Sequence, residues 1–153
     1  MRDRQGKTLA VNRKARYLYT VEDTLECGVS LQGTEVKSMK EGRFSFSDSY
    51  AAIENGELWL KALHITPYAH GNIHNHDPLR TRKLLAHSQE IKRLKRRVDE
   101  RGLTLVPLRF YLKRGMVKLE LGLCRGKKVH DRREAIKNRD LKRDQDRELR
   151  YRM

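Results

Sequence analysis

Three stretches of this chain carry the apolar pattern of strands, one carries that of a helix, and residues 125–153 carry neither. From Tyr17 to Leu31 the run YLYTVEDTLECGVSL is rich in β-branched and aromatic residues, and Gly28 within it suggests a bulge or bend. In SYAAIENGELWLKALHI, Asn55-Gly56 separates two apolar-rich runs. Both central residues of a type I′ turn need positive φ, so this pair predicts a hairpin. A second hairpin follows from TLVPLRFYLKRGMVKLELGLCRG. Leu108, Phe110 and Leu112 alternate on one side of Arg114-Gly115, and Val117, Leu119, Leu121 and Leu123 on the other. Pro107 is tolerable near the start of an edge strand.

Between the hairpins the spacing changes to three and four. Ile91, Leu94 and Val98 share one helical face, whereas Arg93, Arg96 and Arg97 fall elsewhere. Ser88 serves as N-cap, Glu90 favours the first turn, and Gly102 stops the helix. A shorter helical turn is predicted from Thr34 to Glu41, with Thr34 as its cap and Gly42 as its stop. Strands in hairpins with packed helices predict a mainly β fold: a small antiparallel, OB-like barrel with one or two helices. An open sheet covered by a helix fits the same pattern.

The last stretch is different in kind. Val129, Ile136, Leu141 and Leu149 do not recur at a steady helical spacing, so a helix there has no apolar stripe to lay on a core. Such a segment is expected to be disordered, or ordered by something outside the protein. On a helix, Arg139, Arg143 and Arg147 would form a cationic row beside an acidic row of Asp140, Asp144 and Glu148. Pairs at i,i+3 contribute only about 0.2–0.5 kcal/mol each, so helix is accessible without being stable alone.

Charge decides what kind of partner fits. The 153 residues hold 35 Lys and Arg against 20 Asp and Glu, a net charge of +15, and residues 1–124 still carry +9. A polyanion, nucleic acid before an anionic membrane surface, is the expected partner. No apolar run approaches the ~20 residues of a membrane span. The first sixteen residues, MRDRQGKTLAVNRKAR, lack the apolar region of a signal peptide and read as a flexible basic arm. Only Cys27 and Cys124 are present, which suits free thiols in a reducing cytoplasm. The expected organisation is therefore a mobile arm over 1–16, a barrel over 17–124 and a basic tail over 125–153.

Enzymatic chemistry finds little support. His70, His74, His76 and Asp77 have ligand-like spacing for a transition metal, but Gly71, Asn72, Asn75 and Pro78 make the same stretch read as a polar loop. Asp48, Glu54, Glu57 and Glu120 are scattered, with no reason to converge on a catalytic ion. Neither a phosphate-binding GxxxxGK[ST] nor a GxSxG motif occurs. Tyr17, Tyr19, Tyr50, Trp59, Tyr68, Phe110 and Tyr111 could stack on bases, although most occupy strand positions where core packing is the default. Tyr17 is the best of them because it abuts the basic run from Asn12 to Arg16.

Several blocks, taken together and in order, resemble the SsrA-binding protein (SmpB) family. They are Asn12 to Tyr17, Glu26-Cys27-Gly28, Leu31 to Ser38, Ser47 to Tyr50, Asn75 to Pro78, Arg80 to Leu85, and Gly126-Lys127-Lys128 with His130-Asp131-Arg132. The resemblance spans residues 8 to 153. It implies an OB-like barrel that binds the tRNA-like domain of transfer-messenger RNA and delivers it to ribosomes stalled on messages without a stop codon. It implies no enzyme, no cofactor and no membrane partner, a cytoplasmic location, and elongation factor Tu in the delivery complex. It implies also that the tail is disordered when free and helical in the vacant mRNA channel.

Carried over by position, the resemblance implies RNA contacts by Asn12, Arg13, Lys14, Arg16, Tyr17, Glu26, Arg125, Gly126, Lys127 and Lys128. It implies ribosomal contacts, near the decoding centre and in the mRNA channel, by His130, Asp131, Arg132, Arg133, Ile136, Lys137, Arg139, Arg143 and Arg147. Physically, Arg13 suits a phosphate, and Asn12 and Glu26 suit bases or 2′-hydroxyls.

Overall fold

A computed structural model describes residues 6–71 and 74–127. Nine strands and three helices follow in the order β1 (Lys7–Val11), α1 (Arg13–Leu18), β2 (Tyr19–Val29), α2 (Gly33–Lys40), β3 (Phe44–Ser45), β4 (Tyr50–Glu54), β5 (Glu57–Lys61), β6 (His64–Ile65), β7 (Arg82–Leu85), α3 (Ser88–Arg101), β8 (Thr104–Lys113) and β9 (Met116–Gly126). All pairings are antiparallel. The large sheet runs β1-β8-β4-β5-β7-β2-β9, and β9 pairs back onto β8. Six strands thereby close into an OB-like barrel, with β1 added outside the ring along β8. Closure leaves those six strands without a long free edge.

Both predicted hairpins form, and for the expected reason. Asn55 and Gly56 take φ of 52° and 76°, and Arg114 and Gly115 take 53° and 77°, the paired positive values of a type I′ turn. The barrel is filled by the alternating positions: Leu58, Leu60, Leu63, Ile65, Leu84, Phe110, Leu119, Leu121 and Leu123 are all buried. Phe44 and Phe46 bring their rings to within 5.4 and 5.5 Å of Phe110 and plug one end. Helix α3 lays Ile91 and Leu94 on this core and ends at Gly102, whose φ of 64° permits the left-handed cap. Its N-cap is His87, one residue before the expected Ser88, and Glu90 accepts the His87 N–H at 3.1 Å. Helix α2 likewise starts from Gln32 rather than Thr34, because the Glu35 carboxylate accepts the Gln32 N–H at 2.8 Å.

Other expectations need correction. The stretch read as a mobile arm over 1–16 is structured from Lys7 onward. Its residues Lys7–Val11 pair with β8, and Arg13–Leu18 form α1. The disrupted register in β2 falls between Val21 and Asp23, not at Gly28. Gly28 instead lies where β2 pairs with both β7 and β9, and a Cβ there would approach Leu85 to 3.2 Å. Pro107 is not on an edge: it faces Leu121 across β9, beside a register shift between Pro107 and Arg109. A bulge is the other place a strand tolerates proline.

That shift changes which face the side chains serve. Phe110 and Leu112 point into the barrel, but Leu108, two residues earlier, lies on the opposite face with Val106. There, Ala15 of α1, Val106, Leu108 and Cys124 make a second small core outside the barrel. Gly122 makes room for it, since a Cβ at that position would stand 2.7 Å from Leu108. The tail from Lys128 onward, including every expected ribosome-contacting residue, lies outside the described residues.

Candidate nucleic-acid interface

The second core exists to seat α1, and α1 carries the cations. In the six-residue helix only Ala15 turns inward, at 2 % exposure, which leaves Arg13, Lys14 and Arg16 exposed on the outer surface. Asn12 fixes the helix at its start. Its backbone N–H donates to the Leu108 carbonyl at 2.7 Å, its side-chain amide donates to the Pro107 carbonyl at 2.9 Å, and its Oδ1 accepts the Ala15 N–H at 3.3 Å. Asn12 is therefore a clamp between α1 and the bulge of β8 before it is anything else. Tyr17 is half-buried in the same helix.

The end of β9 is joined to this helix. Gly126 lies opposite Tyr19, the Lys127 N–H donates to the Leu18 carbonyl at 2.9 Å, and Lys127 Nζ donates to the Arg16 carbonyl at 2.8 Å. Arg125 stands 3.7 Å from Glu22, a carboxylate that also lies 3.9 Å from both Arg97 and Arg101 of α3. Among the expected RNA-contacting residues, Asn12, Arg13, Lys14, Arg16, Tyr17, Arg125, Gly126 and Lys127 are thus gathered around α1. Lys128 lies outside the described residues.

Glu26 is not part of that group. It faces Glu120 across β9, which faces Arg109 across β8, which faces Val11 across β1. Three strand spacings put Glu26 about 15 Å from β1. Lys113 Nζ holds both Glu26 oxygens at 3.2 Å. Beside it, the Arg109 guanidinium lies 4.4 Å from the centre of the Tyr111 ring, donates to Glu120 at 3.0 Å and reaches the Thr8 hydroxyl at 3.3 Å. Burial and then the Glu26 carboxylate push the Tyr111 phenol up to about 12, so it stays a neutral donor. Arg109, Tyr111 and Lys113 were missed as neighbours of Glu26 by sequence reasoning. Their alternation along β8 marks them as outward-facing, but only the pairing of β8 with β9 and β1 brings them there.

The loop carrying the histidines resolves differently from the metal-site pattern. His76 is buried, with Nε2 at 2.8 Å from the Ile65 carbonyl and Nδ1 at 2.9 Å from the Thr34 hydroxyl, while His70 and His74 are exposed. Asn75 accepts the Tyr68 N–H at 2.9 Å and donates to its carbonyl at 2.6 Å. Under this loop lies Glu35, fully buried, whose carboxylate receives Arg82 Nε and Arg80 Nη2, both at 2.6 Å, besides the Gln32 N–H. Arg82, also fully buried, donates further to the Leu63, Pro78 and Asp77 carbonyls. Burial alone would raise the Glu35 pKa, but the Arg80 hydrogen bond, the Gln32 N–H and the Arg82 charge outweigh it and hold the carboxyl below its ordinary value. Among the described residues no three His, Cys, Asp or Glu side chains converge as metal ligands.

Comparisons agree on one family. The family model described as "SmpB protein" matches residues 9–151. The "SsrA-binding protein" of Treponema denticola is 55 % identical over 146 residues, covering 95 % of each chain. That of Desulfitobacterium hafniense is 56 % identical over 144 residues, 94 % of this chain and 92 % of the relative. A solved chain described as "tmRNA-SmpB: a journey to the center of the bacterial ribosome" superposes with a TM-score of 0.67 at 47 % identity, covering 83 % of this chain and 93 % of that one.

Proposed function

We infer from its membership of the SmpB family, to which this chain belongs, that it is an RNA-binding adaptor of trans-translation. It binds the tRNA-like domain of transfer-messenger RNA and brings that RNA to stalled ribosomes. The observation that carries this reading is the joining of α1 to the end of β9 through Lys127. It makes one rigid cationic platform from two segments a hundred residues apart. Arg13, Lys14 and Arg16 are exposed there, with no ion-pair partner among the described residues, and so are available to phosphate.

Glu26 fits as a reader of donors. A carboxylate on a phosphate-binding face is unfavourable unless it accepts hydrogen bonds from bases or 2′-hydroxyls. Lys113 holds it in place until such donors arrive. The tail continues from Lys127 and carries the ribosomal contacts: His130, Asp131, Arg132 and Arg133 at the decoding centre, and Ile136, Lys137, Arg139, Arg143 and Arg147 in the empty mRNA channel. The protein works in the cytoplasm and catalyses no reaction of its own; its role is to position an RNA. No helix of the described residues is long and apolar enough to cross a membrane.

Binding of full-length protein to the isolated tRNA-like domain, beside an unrelated hairpin RNA, tests this at ~0.2 M salt, where nonspecific affinity is much reduced. A clear preference for the tRNA-like domain is expected. Equal binding would reduce the protein to a general OB-type RNA binder.

A further inference from the structure

The turn before β4 faces α1 across an open cleft of about 300 Å³. Lys14, Ala15 and Leu18 line one side, and Ser49, Tyr50 and Thr104 the other. We propose that this cleft receives one unstacked base of the bound RNA, which stacks on Tyr50 and presents its polar edge to Ser49 and Asp48. The proposal rests on the RNA-adaptor reading and adds to it a defined subsite.

Four observations converge on the cleft. Tyr50 begins a strand whose next residue, Ala51, is buried, yet Tyr50 itself is 45 % exposed. It forms the wall between this cleft and the groove under α3 that Lys95 and Val98 line. An exposed aromatic ring beside cations is a stacking surface, and every base has a face to offer it. Second, Ser49 is 92 % buried, and its hydroxyl lacks any hydrogen-bond partner among the described residues. A buried hydroxyl left so is costly, and a base edge in the cleft supplies what it lacks.

Third, Ser47 adopts a φ of 46°, a conformation that non-glycine residues seldom take. The turn holds it there with the Ser49 N–H donated to the Phe46 carbonyl at 2.8 Å. Strain of this kind survives where the surroundings impose a particular geometry. Fourth, the charges are sorted. Lys14 stands on the α1 side and can take the phosphate, whereas Asp48 lines the turn side and accepts only donors. A nucleotide therefore enters base-first, and a base with an amino group is favoured over one that offers only carbonyls. The volume is at the small end of ligand sites, which suits one base rather than a folded ligand.

Affinity of the full-length protein for the tRNA-like domain of transfer-messenger RNA tests the subsite. Tyr50→Ala should weaken binding about ten- to hundredfold, with the melting temperature unchanged, while Tyr50→Phe keeps the wild-type value. An abasic scan of the unpaired RNA positions should find one whose removal weakens wild-type binding by a similar factor and weakens Tyr50→Ala no further. Wild-type affinity of Tyr50→Ala, or losses that multiply at every abasic position, would overturn the subsite and leave the adaptor reading standing. Failure of the wild-type protein to prefer the tRNA-like domain would overturn both.

Discussion

Arg82 donates its Nε–H to Glu35 at 2.6 Å where neither residue has any exposed surface. The pair ties α2 to β7, and Arg80 and the loop carbonyls complete it, so each charge is enclosed by hydrogen bonds rather than water. Removing one partner leaves the other buried and uncompensated, at a cost of about 3–5 kcal/mol. Glu35→Gln and Arg82→Leu should each lower urea-unfolding stability by that order.

The same pair predicts a pH dependence. The Glu35 carboxyl lies below its ordinary 4.5 when folded, so its contribution is complete above that value and is lost as pH falls through the folded-state pKa. Burial draws the Arg82 pKa down too, against the pull of Glu35, but a guanidinium stays charged throughout the acid range and plays no part there. Unfolding measured from pH 7 to 3 should show stability declining on the acid side in wild type and a flatter acid limb in Glu35→Gln.

Asn12 and Arg13 are adjacent, yet they should fail differently. Asn12→Ala removes a helix cap and a tie to β8, and should cost about 1–2 kcal/mol in thermal unfolding. Arg13→Ala touches no core and should leave stability alone. It should instead weaken tRNA-like-domain binding and lower the slope of log affinity against log salt by about one.

Burial, with nearby carboxylates adding to it, pushes the thiols of Cys27 and Cys124 up to about 12 and about 11. The two lie in different cores. Neither should react with a thiol reagent at pH 8 in the native protein, and both should react once denaturant is added. Reaction of one thiol in native conditions would show that its core opens locally.

Deleting residues 134–153 should leave affinity for the tRNA-like domain nearly unchanged and abolish tagging on stalled ribosomes. Parallel binding and tagging assays on full-length and truncated protein check this. Loss of RNA binding by a truncated chain that still melts cooperatively would put the RNA contacts in the tail.

Local signals carried the fold as far as local physics reaches. Asn55-Gly56 and Arg114-Gly115 specify their turns because φ is a property of two residues. Ile91, Leu94 and Val98 specify the α3 face because its period is internal to one helix. Helix α1 was hidden because RKARYL has one small buried residue and no apolar stripe; what holds it is Asn12 bonded to the distant carbonyls of Pro107 and Leu108. Leu108 was assigned to the wrong face for a related reason, since alternation is silent about a bulge. For the site, the cationic residues were legible from charge and family resemblance. The Glu26 neighbours, the Glu35–Arg82 pair and the Tyr50 cleft depend on strand register and loop packing, which a single chain does not spell out.

The bulge at Pro107 gives one strand two employers. One face of β8, with Leu105, Phe110 and Leu112, answers to the barrel interior; the other, with Val106 and Leu108, answers to the platform that holds α1. Selection can therefore adjust the seat of α1 through Val106, Leu108 and Cys124 while the barrel keeps its packing, and can repack the barrel around Phe110 without tilting α1. A one-residue insertion or deletion within β8 has no such freedom, because it would exchange the two faces at once. Variation in length should be found in the turns at either end of this strand and not within it.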